Sequence, residues 1–288
     1  MSDRASRRTF LQTSALAGSG FLLPDEGAQA QSAPPNETIK TIRSLRSTHG
    51  NFLDKPVPEP ALETILQSSL RAANASNNQS YSVIVIKNRQ MMKSVCGYQG
   101  GCVLLYCADY TRLKVCAETM GYNYDPGTME GFVTASTNAT IAAQTAVIAA
   151  RSLGIDSLLT NGIHRGDMDR LWKLLELPQT HCFPIIALVL GYSTEPGQLK
   201  GRLDGPGVIH SEKYHTLTKE ETGAIILKYD DKQRNLGLND DWAAKGHKHY
   251  LDWFFKDWMR VGSKPAVQQE TQILRLLKRT RFVEEPKA

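Results

Sequence analysis

Residues 134–162 read TASTNATIAAQTAVIAARSLGIDSLLTNG, and the fold turns on how this stretch divides. Residues 134–153 are rich in alanine and carry apolar side chains on nearly every face, which predicts a helix; Gly154 supplies its stop. A helix apolar almost all round belongs in the interior or at a subunit interface. Residues 155–160 then read as a short strand, and Asn161-Gly162 as the turn that ends it.

The same alternation runs outward in both directions. Residues 59–73 predict a helix with Leu62, Ile65, Leu66, Leu70 and Ala73 on one face, and Pro58 and Pro60 sit near its start, where proline is tolerated. Residues 81–86, 103–108 and 185–190 predict strands, and 167–175 an amphipathic helix. From 38 to about 202 the order is that of a mixed α/β or α+β domain. At 288 residues, 41% hydrophobic and 22% charged, the chain can bury a sizeable core without disulfide or metal staples. Its net charge of +5 is modest. Apart from Lys278, Arg279 and Arg281 the basic residues are scattered, which gives no footprint for nucleic acid.

The first 30 residues follow a different logic. Ser6-Arg7-Arg8-Thr9-Phe10-Leu11 leads into an apolar stretch over 15–23, too short to span a bilayer, and Ala28-Gln29-Ala30 offers small residues for cleavage. That order predicts a twin-arginine signal peptide over 1–30 and an exported, periplasmic location. Such a route suits proteins that leave the cytoplasm folded around a cofactor. Residues 31–37 (QSAPPNE) read as a linker.

Four segments carry polar chemistry. Arg46-Ser47-Thr48 offers a cation beside two hydroxyls, a set suited to a phosphate. Asn74-Ala75-Ser76-Asn77-Asn78-Gln79 concentrates amides between a helix and a strand, fit for a ribityl chain or a pyrimidine edge, though a polar turn has the same composition. Asn161-Gly162 ends a strand where backbone can approach a planar ligand. Lys200-Gly201-Arg202 places two cations beyond the last strand.

In this order and at these separations the four segments resemble the FMN-dependent nitroreductase family. The match lies in a basic-Ser segment before Phe52-Leu53-Asp54-Lys55-Pro56-Val57, an amide-rich phrase, a Gly-x-x strand ending in polar-Gly, and a late Lys-x-Arg, and it covers about residues 39–214. The resemblance implies an α+β fold, a central sheet flanked by helices, in an intertwined homodimer that holds FMN between subunits. It implies that Arg46, Ser47, Thr48, Lys200 and Arg202 hold the FMN phosphate. Asn74, Ala75 and Asn77 would reach the flavin of the partner chain, and Asn161 and Gly162 would lie beside the N5 edge. The activity implied is transfer of hydride or electrons between reduced flavin and an electron-poor small molecule: a nitroaromatic, a quinone or a halogenated aromatic. No side-chain acid or base is required. Export would separate the protein from cytoplasmic NAD(P)H, so an exported redox partner, an oxidative reaction or a non-catalytic electron carrier are the rival readings.

The chain departs from the family pattern at three places. Gly50 stands where a second cation is usual, Ala73-Asn74 replaces Pro-Ser, and Tyr81 replaces tryptophan. Residues 220–288 form an extension containing a predicted aromatic helix over 249–260, placed either on the surface, around the partner subunit or over the active site. No Cys, His or acidic spacing suggests a metal, and the five cysteines read as core residues, with a Cys96–Cys102 disulfide as the alternative.

Overall fold

Strand β2 (Cys102–Asp109) is buried at every position, so both faces of the sheet around it are covered. The computed structural model describes residues 36–195, 197–262 and 267–283. In it β2 pairs antiparallel with β1 (Tyr81–Ile86) on one side and β4 (Cys182–Gly191) on the other. β3 (Asp156–Thr160) pairs antiparallel with the far side of β4, giving a four-stranded sheet in the order β1-β2-β4-β3. With helices packed on it, this is the α+β architecture expected.

Helix α5 (Met129–Ser152) lies against all four strands. Ala135, Ala139, Ala142, Ala143, Ala146 and Ala150 are fully buried, and methyl side chains let the helix backbone come close to the sheet. The helix starts at Met129 rather than 134, because Thr128 caps it: its hydroxyl accepts from the Gly131 amide at 2.9 Å. Helix α2 (Glu59–Leu70) packs on α5, and buried Ser69 ties the layers by bonding the Tyr106 hydroxyl at 3.0 Å and donating to the Ala142 carbonyl at 3.0 Å.

Sequence periodicity missed the short or polar helices: α1 (Glu37–Arg43), α3 (Arg89–Cys96), α4 (Thr111–Thr119), α7 (Lys219–Asp230) and α9 (Val267–Arg279). α6 (Asp169–Leu175) falls where a helix was predicted. α2 stops three residues short of its predicted end at 73, where Arg71 closes the last turn on Ser68 and Ser69. The predicted aromatic helix is broken instead into α8 (Tyr250–Trp253) and a wider π turn over Phe254–Trp258. Glu37, the last residue assigned to the linker, opens α1; the signal peptide over 1–30 and residues 31–35 lie outside the described residues. Among the described residues no helix is long and apolar enough to cross a membrane. All five cysteines are free, and only Cys116 is exposed.

The C-terminal segment joins the main core. Leu276, Leu277 and Phe282 are buried there, and the Phe282 ring packs 5.2 Å from Phe132 and 6.4 Å from His181. The His181 amide donates to the Thr280 carbonyl at 2.7 Å, and Arg281 pairs with Asp125 at 3.0 Å. Trp242, Tyr250 and Trp253 form a smaller cluster of their own. Phe282→Ala is therefore expected to destabilise the protein by about 3–5 kcal/mol in urea unfolding. A change under about 1 kcal/mol, the level of a surface substitution, would show that this end is not part of the core.

Candidate functional site

Arg46, Ser47 and Thr48 run along the outer edge of β3. The Thr48 amide donates to the Ser157 carbonyl at 2.9 Å, and just beyond, Phe52 bridges to Ser193 past the end of β4. The Arg46 guanidinium meets Asp156, the first residue of β3, with Nη2 3.3 Å from Oδ1. Ser193 donates to the other carboxylate oxygen from its amide at 3.2 Å and its hydroxyl at 2.5 Å. Arg151, at the end of α5, lies 3.8 Å from Oδ1 and donates through Nε to the Ser44 hydroxyl at 2.9 Å. Burial alone would raise the Asp156 pKa, but the Ser193 and Arg46 hydrogen bonds outweigh it and hold the carboxyl below its ordinary range.

Two polar atoms in this corner are buried without a hydrogen-bond partner: Arg46 Nε and Thr48 Oγ1. An orphaned buried donor costs about 1–3 kcal/mol, a cost that a bound ligand or water removes. Gly197 closes over the same residues; a methyl group there would sit 3.0 Å from the Ser47 carbonyl oxygen. A guanidinium N–H and a hydroxyl, both unpartnered and both under Gly197, are donors suited to a phosphate. Gly50, in the same segment, has φ +88°, a left-handed conformation that a long side chain would strain.

The amide loop follows α2. Residues 75–77 form a 3-10 turn, and Ser76, Asn77 and Gln79 have positive φ. Asn74 Oδ1 accepts from the Gln79 amide at 3.0 Å, and the Ala75 amide donates to Asn138 Oδ1 at 3.0 Å. Asn77 is exposed at the tip.

Asn161 and Gly162 follow β3 directly. Asn161 lies five residue steps along from Asp156, the first residue of β3, a span of ~16 Å at 3.3 Å per residue. Asn161 is exposed, and the Gly162 amide is already engaged by Thr160 Oγ1 at 2.9 Å. One short strand thus joins the phosphate-like corner to the turn assigned to the flavin edge.

Lys200 and Arg202 have hydrogen-bond partners of their own. Lys200 Nζ donates to Asn235 Oδ1 at 2.7 Å, and the Arg202 guanidinium turns back on the carbonyls of Lys200 and Gly201 at 3.1 and 2.8 Å. Among the described residues neither side chain bonds Arg46, Ser47 or Thr48. Their segment does start beside that corner, through Gly197. His49 is exposed. His247 and His249 are each paired with their own carboxylate, Asp257 and Asp230, and among the described residues no group of three or more ligand side chains could hold a metal ion.

Sequence reasoning missed Asp156, Arg151, Asn138 and Asn235. Asn138 had a readable signal, a single amide on an otherwise alanine face; the other three contacts join residues from 35 to 110 positions apart and leave no local pattern.

No family model matches the chain. Among curated proteins it is 30% identical over 207 residues to an FMN reductase [NAD(P)H] of Bacillus subtilis, a match covering 68% of this chain and 81% of the relative. The chain belongs to the nitroreductase-like family. A second member, the oxygen-insensitive NADPH nitroreductase of Salmonella typhimurium, is 27% identical over 209 residues, covering 69% of this chain and 81% of its own. The solved structure of B. megaterium NfrA2 superposes with a TM-score of 0.73 over 88% of this chain and all of that one, at 24% identity, and shares the fold.

The Asp156 contacts generate a pH prediction. A carboxyl whose folded pKa is depressed contributes stability that is complete above its unfolded value, about 3.9, and lost as pH falls through the folded value. Asp156→Ala is expected to cost about 1.5–3 kcal/mol at neutral pH, with the gap to the parent protein closing in acid. Denaturant unfolding across pH checks this. A gap of constant size would place the effect in packing rather than charge.

Proposed function

We propose that this nitroreductase-like chain is an FMN-dependent oxidoreductase that delivers electrons to an electron-poor small molecule, of the nitroaromatic, quinone or halogenated aromatic kind. The observation that carries the reading is the corner where Arg46 Nε and Thr48 Oγ1 lie buried with no acceptor. These two atoms and Ser47 hold the phosphate, with Asp156 fixing the far side of the Arg46 guanidinium. Lys200 and Arg202 complete the grip from the adjoining segment by leaving their present carbonyl and amide partners. Asn161 and Gly162 border the N5 edge. FMN supplies the hydride or electron transfer; the protein binds, orients and shields it.

The outer face of α5 supports the reading of a homodimer. Met129, Val133 and Ile141 are exposed along one stripe of a helix whose opposite face is in the core. A second copy covering that stripe would bring Asn74, Ala75 and Asn77 to the flavin of its neighbour. Export through the twin-arginine route rests on the pattern of residues 1–30. Reduced nicotinamide is the first donor to test, since both curated relatives carry NAD(P)H or NADPH in their names; an exported quinol or redox protein is the second.

The purified protein is expected to be yellow, with one non-covalent FMN per subunit, and dimeric by light scattering. A colourless protein that takes up no FMN, or a folded flavin-bound monomer, would contradict the respective reading. Arg46→Ala should weaken FMN binding about tenfold to a hundredfold, at 1.4 kcal/mol per decade, and leave riboflavin binding nearly unchanged because riboflavin has no phosphate. Equal affinity of parent and variant for FMN would remove Arg46 from the phosphate site.

A further inference from the structure

A polar side chain buried among alanines needs a reason to be there. Asn138 is 2% exposed and stands on the sheet-facing side of α5, between Ala135, Ala139 and Ala142. Its amide is fully used, and every partner lies in the loop that follows α2. Oδ1 accepts from the Ala75 amide at 3.0 Å, while Nδ2 donates to Ser80 Oγ at 2.9 Å and to Asn78 Oδ1 at 3.2 Å. One side chain therefore fixes both ends and the middle of the turn over residues 75–80.

That turn would not hold its form by itself. Ser76, Asn77 and Gln79 have φ of 49°, 52° and 51°, and none of them is glycine. Three left-handed residues within four positions persist only where surrounding contacts over-determine them, and such strain collects at binding sites. Inside the loop Asn74 Oδ1 accepts from the Gln79 amide, Asn78 Oδ1 accepts from the Ser80 amide at 3.2 Å and the Asn78 amide donates to the Ala75 carbonyl at 3.0 Å; from outside, Arg112 bonds the Gln79 carbonyl and Asn138 bonds residues 75, 78 and 80. Asn77 is left exposed at the tip.

We propose that Asn138 is a positioning residue for the flavin site: its carboxamide clasps residues 75–80 in the strained turn that presents Asn74, Ala75 and Asn77 to the isoalloxazine and ribityl groups. The proposal rests on the reading of that loop as a flavin contact. It makes α5 a ruler as well as a core helix, because the clasp is anchored on the element that also sets β3. An apolar residue at 138 would pack at least as well with its alanine neighbours and would let the turn relax.

The test compares Asn138→Ala and Asn138→Asp with the parent protein and with Arg46→Ala, measuring FMN and riboflavin affinity well below the unfolding temperature of each apoprotein. Asn138→Asp keeps the side-chain volume and the acceptor but replaces both N–H donors with oxygen facing Asn78 Oδ1 and Ser80 Oγ. Both Asn138 variants are expected to lose about tenfold in affinity for FMN and for riboflavin alike, and to alter the visible circular dichroism of the bound flavin. Arg46→Ala loses FMN only, so the two patterns separate the ring end from the phosphate end. If the Asn138 variants fail to fold, Asn78→Ala removes one bond of the clasp together with the bond from the Ser80 amide to the same oxygen, and is expected to give a smaller loss of the same pattern. Folded Asn138 variants that bind both flavins as the parent does would overturn the proposal, as would a loss confined to FMN or an unchanged Asn78→Ala. A parent protein that binds FMN while these variants do too leaves the cofactor reading intact; a parent that binds neither flavin removes both.

Discussion

The close seating of α5 on the sheet is the constraint from which the rest of the molecule follows. Methyl side chains at six of the buried positions bring the helix backbone close to β2 and β4, and enlarging one of these alanines would strain that seating. With α5 fixed, its two ends are fixed as well. In its first half Asn138 reaches the amide loop; at its finish Arg151 reaches Ser44 and Asp156. The chain then turns at Gly154, with φ +71°, straight into β3. The polar parts of the candidate site are thus hung on one rigid element rather than on independent loops, which is what precise placement of a planar cofactor requires.

Charge at the phosphate corner is arranged with a carboxylate in the middle. Asp156 takes one edge of the Arg46 guanidinium and leaves Nε without a partner, and the Thr48 hydroxyl two residues on is unpartnered as well. An arginine already held by an anion is oriented before a ligand arrives, so less side-chain freedom remains to be lost on binding. The same carboxylate binds Ser193, tying the end of β4 to the start of β3. Lys200 is meanwhile held by Asn235, which also donates to the Leu199 carbonyl at 3.0 Å and accepts from the Gly201 amide at 3.0 Å. The extension that lies beyond the minimal domain is therefore in contact with a segment assigned to the cofactor.

The α+β class, the four strands and the central helix were legible because burial imposes a period on sequence: β2 is apolar throughout, and the alanine run of α5 can only be a buried helix. Helices such as α7, with no buried residue, impose no such period and were missed. The aromatic run over 249–260 was legible as aromatic but not as broken; in the fold Tyr250 stacks on Tyr229, 21 positions away, and lies at a tilt to Trp253, contacts that leave no local pattern. Within the candidate site, Arg46 and Thr48 were legible as residue types. The orphaned state of their Nε and Oγ1 atoms was not, because it depends on Asp156, on Ser157 and on the closure over them by Gly197.

A crystal structure of the protein loaded with FMN tests this account most directly, read at the two orphaned atoms. The account predicts phosphate oxygens within hydrogen-bond distance of Arg46 Nε and Thr48 Oγ1, with Asp156 still on the far side of the guanidinium. A phosphate bound elsewhere, with those two atoms still lacking an acceptor, would contradict it.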